Sequence, residues 1–139
     1  TEGQDIVADY QSLGLTLGRH PVELLRHRLD RYHYARAGAL RALGHGAAVA
    51  VAGLVITKQR PGTASGVTFV TLEDETGYVN LVVWKQLAET DRAALLNARL
   101  MGVRGTLQIE GEVVHVIASR LFDHTDMLGN LVVRSRDFR

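Results

Sequence analysis

Alternating apolar and polar positions, interrupted by short polar clusters, run through the second half of the chain. The clearest case surrounds Glu73–Gly77, where the sequence Glu-Asp-Glu-Thr-Gly separates two runs rich in Val, Thr, Phe, Tyr and Trp. A polar cluster ending in glycine between such runs predicts a β-hairpin with a short loop. Three more runs of β type lie outside this hairpin: Ala47–Lys58, Leu100–Ile109 and Val113–Ser119. The pattern therefore predicts five strands.

Helical spacing occurs in three places. Lys85–Ala98 predicts a helix inserted between the third and fourth strands. Pro21 suits the first turn of an upstream helix, and a second short helix is predicted over Ala35–Leu43, ending at Gly44. The upstream helix carries one apolar stripe: Val22, Leu25, Leu29 and Tyr32.

Three strands, a helix and two strands are the element order of the OB-fold, a mainly β, five-stranded Greek-key barrel that commonly grips single-stranded nucleic acid. We expect a helical linker over residues 1–45, the barrel over 46–122 and a tail over 123–139. The apolar stripe must be covered by the barrel, by the tail or by a second copy. Apolar residues of the tail offer a modest surface for this: Leu128, Leu131 and Val133. The tail itself either packs on the barrel or is partly disordered.

Strand alternation predicts which side chains face the barrel interior. Val79, Leu81 and Val83 should point inward. Tyr78, Asn80 and Trp84 should then point outward, although burial and exposure of Trp84 are equally compatible with the sequence.

Phe69 and Leu72 stand three apart, so placing both in the core requires a β-bulge in the second strand. Gly53 and Gly105 are candidates for similar bends.

Charge limits the nucleic-acid interpretation. The 139 residues carry a formal net charge of +1, and the predicted barrel has seven basic and seven acidic residues. Since affinity for nucleic acid rests largely on phosphate neutralisation, binding should be weak. The chain contains no cysteine, no apolar run near the ~20 residues of a membrane helix and no signal-like start, so we expect a cytoplasmic protein.

No pattern of catalytic residues is apparent. Carboxylates at 73–75 could in principle hold a cation, but a solvated turn with an Asx-type contact from Asp74 explains them better. The six histidines lack metal-ligand spacing, and Arg60–Gly66 lacks the phosphate-loop pattern. The sequence predicts no enzyme activity, no cofactor and no metal. The basic residues of the upstream helix are expected on a solvated face: Arg26, His27, Arg28 and Arg31.

The loop between the first two strands is better suited to binding. Lys58 and Arg60 bring positive charge to its base, Thr63 offers a hydroxyl to phosphate, and outward aromatic residues could stack on bases. We predict a nucleic-acid-binding face made of eight residues: Lys58, Arg60, Thr63, Tyr78, Asn80, Trp84, Lys85 and Arg104.

The run GLVITKQRPGTASGVTFVTLEDETGYVNLVVW resembles the C-terminal OB domain of bacterial C-family DNA polymerase α subunits. DYQSLGLTLGRHPVELLR is similar to the segment that joins this domain to the polymerase body, and the closing residues 135–139, SRDFR, resemble the terminus of the error-prone ImuC type. The resemblance implies the native end of a much longer translesion polymerase. It also implies ImuB-like and ImuA-like partners and, indirectly, the sliding clamp. The family's catalytic carboxylates match nothing here.

Two hypotheses therefore stand. The barrel is either a non-catalytic module that binds single-stranded template, or a protein-interaction module that docks the polymerase to its partners. A basic groove across the second and third strands favours DNA, whereas an exposed apolar patch favours a protein partner.

Overall fold

The computed structural model describes residues 19–62 and 65–129, and within them five strands close into a barrel. The strands are β1 Ala48–Gln59, β2 Thr68–Asp74, β3 Gly77–Val83, β4 Leu100–Glu110 and β5 Val113–Asp123. Their order around the barrel is β1-β2-β3-β5-β4. All neighbours are antiparallel except β3 and β5, which run parallel. The predicted OB-fold is confirmed.

Short helices decorate the barrel. They are α1 Pro21–Leu29, α2 Leu40–Leu43, α3 Lys85–Thr90 and α4 Arg92–Asn97, with 3₁₀ turns at Asp30–Tyr32 and Ala37–Ala39. Residues 126–129 are also helical. The predicted insert between β3 and β4 is thus two helices. They are divided at Asp91, whose carboxylate accepts hydrogen bonds from the backbone N–H of Leu121 and from Arg120. In the described part of the chain, no helix has the length and apolarity needed to cross a membrane.

Strand alternation assigns the inner and outer faces of β3 correctly. Val79, Leu81 and Val83 are buried in the barrel core, as predicted. Tyr78 and Asn80 point outward and are exposed. Trp84, for which the sequence left both possibilities open, is 52% exposed.

Phe69 contradicts the prediction that it lies in the core, because its side chain is 40% exposed. Strand β2 alternates without interruption, so Val70 and Leu72 point inward and Phe69 points outward. The proposed bulge in β2 is therefore wrong. Register shifts occur instead in β1, between Val55 and Thr57, and in the β4–β5 pair.

The two candidate bend glycines serve close backbone contacts. The β4–β5 register shift adjoins Gly105, where a Cβ would lie 2.2 Å from the carbonyl oxygen of Ile117. Gly53 sits in regular register with β4, but a Cβ there would lie 2.8 Å from the backbone oxygen of Glu73. Real Cβ contacts are longer than this, so glycine is required where these strands approach each other.

The apolar stripe of α1 is covered by the barrel. Its residues Val22, Leu25 and Leu29 form a second apolar cluster with barrel residues and with the segment after β5. Leu54, Leu100, Met127 and Leu128 are among the members of that cluster. Tyr32, the fourth residue of the stripe, departs from it and is 46% exposed. The tail residues Leu131 and Val133 lie outside the described residues.

The prediction of a solvated basic face on α1 is wrong for Arg26, whereas His27 and Arg31 are exposed as predicted. The acidic turn is not solvated either, because Asp74 is buried and Glu75 is largely covered. Arg26 is 5% exposed and makes a bidentate contact with Glu75, at 2.8 Å through Nε and 2.6 Å through Nη2. Its Nη1 also donates to the carbonyl of Tyr34 at 3.4 Å, and its Nη2 lies 3.5 Å from the carboxylate of Asp74. We call Arg26, Asp74 and Glu75 the hairpin clamp, because they fasten α1 to the β2–β3 turn.

Asp74 does make the predicted Asx-type contact, although it is only 4% exposed. Its Oδ1 accepts hydrogen bonds from the backbone N–H groups of Thr76 and Gly77, at 2.8 and 3.1 Å. Its Oδ2 accepts from the backbone N–H of Ala37 at 2.7 Å, which holds the segment after α1 as well. Asp74 therefore organises the turn and anchors the linker together.

Candidate nucleic-acid interface

The outer side of β2 and β3 forms a surface whose residues pair across the two strands. Phe69 pairs with Val82, Thr71 with Asn80, and Glu73 with Tyr78. Residues that pair directly across antiparallel strands project on the same side of the sheet. We call these six residues the front face. It extends from the β1–β2 loop at the Phe69 end to the β2–β3 turn at the Tyr78 end.

The loop end of the front face combines exposed aromatic rings with basic side chains. Trp84 directly follows β3, and strand alternation places it on the side of Val82, diagonal to Phe69. The stem of Lys85 runs along the β1–β2 loop, since a Cβ on Gly66 would lie 3.1 Å from it. Arg60 is exposed at the start of that loop. Rings for stacking and cations for phosphate therefore lie at one end of the front face.

The turn end of the front face is acidic. The hydrogen bond to Glu73 and the charge of its carboxylate raise the pKa of Tyr78. Glu73 also lies 3.0 Å from Nε2 of His20, whose Nδ1 accepts the backbone N–H of Val22 and so caps α1. Charge is thus distributed unevenly along the front face, with basic side chains near Phe69 and a carboxylate beside Tyr78.

A groove of ≈ 400 Å³ opens beside the turn end of the front face. Tyr78 and Asn80 form one wall, and Arg41 and Val113 contribute to the other sides. The guanidinium of Arg41 donates to the carbonyl of Gly111, which fixes the β4–β5 turn against α2. The groove therefore lies between the outer surface of β3 and the start of β5.

Lys58 does not join the front face. It pairs with Val70, whose side chain points into the barrel, and its Nζ donates to the carbonyls of Leu95 and Leu96 at 3.1 Å each. Burial, together with the charge of Arg99, lowers the pKa of Lys58. Lys58 therefore holds the end of α4 over the mouth of the barrel.

Arg104 also lies apart from the other predicted binding residues. It is exposed on β4, directly opposite Arg120 of β5. Thr63 lies outside the described residues. The structure therefore brings together Arg60, Trp84 and Lys85 at the loop end and Tyr78 and Asn80 at the turn end. It separates Lys58 and Arg104 from both.

Two residues of this surface were not predicted from the sequence. Uninterrupted alternation of Phe69 with Val70 and Leu72 could have placed Phe69 outside, had no bulge been assumed. Nothing near Arg41 in the sequence indicates the β4–β5 turn, because its partner Gly111 lies 70 residues away.

Several acidic residues of the barrel form ion pairs within the fold, so the neutral net charge of the barrel does not describe the charge of each part of its surface. Glu75 and Asp74 contact Arg26, Glu73 contacts His20, and Asp91 contacts Arg120. Burial tends to raise the pKa of Glu75, but the hydrogen bonds and charge of Arg26 outweigh it, and the net pKa is lowered. Among the described residues, no group of three or more His, Asp or Glu side chains could hold a metal ion.

The closed β1-β2-β3-β5-β4 barrel with aromatic and basic side chains on one face is the architecture of OB-fold nucleic-acid-binding proteins. Comparison with known families agrees, because the tRNA anti-codon family of OB-fold nucleic acid binding domains matches residues 49–123. That match covers more than half of the chain, and the chain belongs to this family.

Much longer proteins resemble the whole chain. It is 59% identical over 99% of its length to an error-prone DNA polymerase of Alkalilimnicola ehrlichii, and 58% identical over 99% to one of Pseudomonas fluorescens. It spans only 13% of each of these polymerases. Among solved structures, asparaginyl-tRNA synthetase from Pyrococcus horikoshii, complexed with asparaginyl-adenylate, aligns with a TM-score of 0.55 and 25% identity. The alignment covers 66% of this chain and 22% of the synthetase.

Proposed function

We propose that the front face binds single-stranded DNA, with bases stacking on Phe69 and Trp84 and phosphates contacting Arg60 and Lys85. The observation that carries the proposal is the grouping of two exposed rings and two exposed basic residues at one end of an OB barrel. Each base stacked on an aromatic side chain contributes roughly 1–3 kcal/mol. Thr63, in the same loop, is proposed as an additional hydroxyl contact.

We further propose that the chain is the non-catalytic OB module of an error-prone DNA polymerase and holds template strand near the polymerase body. High identity to polymerases over nearly the full length of the chain supports this. Resemblance of the closing residues to the ImuC type would place it in a translesion enzyme, beside ImuB-like and ImuA-like proteins and, indirectly, the sliding clamp.

Affinity should be low, because few cations are free to meet phosphates. Lys58 is engaged with α4, and Arg104 lies on β4, apart from the front face. Each phosphate contact contributes roughly 0.7 to the slope of log affinity against log salt for a single strand. Contacts from Arg60 and Lys85 would therefore give a slope near 1.4 in magnitude.

A protein-docking role is the second candidate, and one observation favours it. Phe69 and Val82 form a cross-strand apolar pair that continues to Ile117 on β5. With Trp84 beside it, this row could be covered by an apolar partner surface. The salt dependence of affinity distinguishes the two roles, because apolar docking is little affected by salt whereas binding through phosphate contacts weakens as salt rises.

Fluorescence anisotropy with labelled oligothymidylate, measured over a salt series, tests the proposal. The double variant Phe69→Ala/Trp84→Ala should lose most of the affinity, whereas Leu96→Ala, which removes another exposed apolar side chain, should not. Affinity unaffected by the double variant would contradict the stacking role. Absence of salt-dependent binding by the unmodified chain would leave the docking role as the better explanation.

A further inference from the structure

Four rings form a cluster on the opposite half of β5 from the front face. Tyr32, Tyr34, Phe122 and His124 make up this aromatic column. The ring centroid of Tyr32 lies 5.8 Å from that of Tyr34 and 5.0 Å from that of His124. Phe122 stacks on His124 at 6.5 Å with an interplanar angle of 23°. Tyr32, the last residue of the apolar stripe, therefore belongs to the aromatic column, and Tyr34 connects this column to the second apolar cluster.

The inner part of the column is fixed by the fold. Tyr34 is 5% exposed, and its hydroxyl is hydrogen-bonded to Nε2 of His124 at 2.8 Å. Gly102 leaves room for it, because a Cβ at that position would lie 2.1 Å from the Tyr34 hydroxyl oxygen. Burial raises the pKa of Tyr34 to about 12. Tyr32, by contrast, is 46% exposed and presents its ring to solvent.

Two arginines stand at the other end of the column. The guanidinium carbon of Arg120 lies 5.5 Å from the ring centroid of Phe122. Arg104 of β4 pairs with Arg120 of β5. Like charges directly opposite on neighbouring strands destabilise a sheet. Asp91 engages Nε of Arg120, at 3.2 Å. In the part of the chain that the structure describes, no carboxylate makes a salt bridge with Arg104.

We propose that the aromatic column and the Arg104–Arg120 pair form a second contact for single-stranded nucleic acid. A base stacks on Tyr32, and phosphates are held by Arg104 and Arg120, whose like charges an anionic backbone would relieve. The column is joined to the front face through β5, since Ile117 pairs with Val82 of β3 on one side and with Thr106 of β4 on the other. Thr106 lies two residues along β4 from Arg104. This inference rests on the proposed function and extends the path of the strand around the barrel.

Charge favours a polyanion over a neutral protein surface at this site. Arginine offers planar, bidentate donors to phosphate, and stacking on Phe122 leaves the edge of the guanidinium accessible. The carboxylate of Asp123 is turned into the following bend, where its Oδ1 accepts the backbone N–H of Thr125 at 2.9 Å. Among the described residues, it forms no salt bridge with either arginine.

Oligonucleotides of two lengths test the second contact on the complete 139-residue chain. An OB-fold occupies roughly 4–16 nucleotides, so oligothymidylates of about 6 and about 16 nucleotides separate the front face alone from both contacts. Tyr32→Ala and Arg104→Glu should each weaken the longer ligand by about 5- to 100-fold and leave the shorter one unchanged. Arg19→Glu is the control, because it makes an equal charge change near the start of α1, at a residue that pairs with Glu23.

Photocrosslinking provides an independent readout. An iodouracil placed near one end of the longer oligonucleotide should crosslink to Tyr32 or Phe122, located by mass spectrometry. Equal affinity of both lengths, or insensitivity of the longer ligand to both variants, would overturn the second contact while leaving the front face intact. The second contact would also be overturned if other domains of a full-length polymerase covered Tyr32 and no crosslink to it formed. No binding of either length would refute the proposed function itself.

Discussion

Replacing Arg26 with methionine should strongly destabilise the folded chain. The substitution keeps an apolar stem in place but removes two charge-assisted hydrogen bonds to Glu75 and the 3.5 Å contact with Asp74. The side chains of Glu75 and Asp74 are only 10% and 2% exposed, so water cannot replace the lost partner. Breaking a buried ion pair by removing one partner costs about 3–5 kcal/mol.

Such a loss is a large share of the roughly 5–15 kcal/mol that stabilises an ordinary domain. Urea unfolding followed by circular dichroism would show it as a lower midpoint with a similar slope. Hydrogen exchange should also become faster in α1 before it does in the barrel strands, because the clamp holds α1 to the turn.

Two further variants distinguish the clamp from an ordinary ion pair. Arg36→Met removes a 3.6 Å contact with the same carboxylate, but its side chain is 50% exposed, so the cost should stay below about 1 kcal/mol. Arg26→Met/Glu75→Leu removes both charges and should recover much of the loss, since apolar pairs often replace buried ion pairs well. A loss below about 1 kcal/mol for Arg26→Met, or no recovery in the double variant, would refute this reasoning.

Three shorter predictions follow from the same contacts. Gly105→Ala should lower the melting temperature because its Cβ would meet a β5 carbonyl at 2.2 Å, whereas Gly62→Ala, with open space around it, should not. The pKa of Glu75 is lowered in the folded chain, so its contribution to stability is fully present above its ordinary, unfolded pKa and is lost as pH falls through the folded pKa. Unfolding midpoints measured from about pH 5.5 down to about pH 3 should therefore fall less for Glu75→Gln than for the unmodified chain. Lys58→Met should cost about 0.5–1.5 kcal/mol of stability and leave oligonucleotide affinity unchanged, as measured by urea unfolding and anisotropy.

The barrel could be predicted because the patterns that define its strands and turns lie within short segments of the sequence. Alternation with a period of two fixes the face of each side chain, and Val79, Leu81 and Val83 are buried as that rule requires. The hairpin turn was likewise visible from a polar cluster ending in Gly77. Strand order then follows from the element order of a known architecture.

Contacts between residues far apart in the sequence were the ones missed. The basic neighbours of Arg26 in α1 indicate a solvated face, yet its partner Glu75 lies 49 residues away. A helical stripe identifies apolar positions, but it cannot identify a charged residue beside the stripe whose counter-charge comes from a distant turn. Lys58 is a similar case, since α4 supplies carbonyls that no local pattern indicates.

The clamp also bears on how a neutral barrel could bind a polyanion. Counted along the sequence, the acidic turn at residues 73–75 cancels much of the basic charge of the barrel. In the folded chain Asp74 and Glu75 are buried against Arg26, and Glu73 is paired with His20, all at the turn end of the front face. Arg60 and Lys85 lie at the other end, beside the exposed rings. Because Coulomb interactions between exposed charges fade beyond about 10 Å at ordinary salt, local charge decides binding more than the net charge does. Segregation of the acids at the turn end therefore makes a formal charge of +1 compatible with the weak, salt-sensitive site that we propose at the loop end.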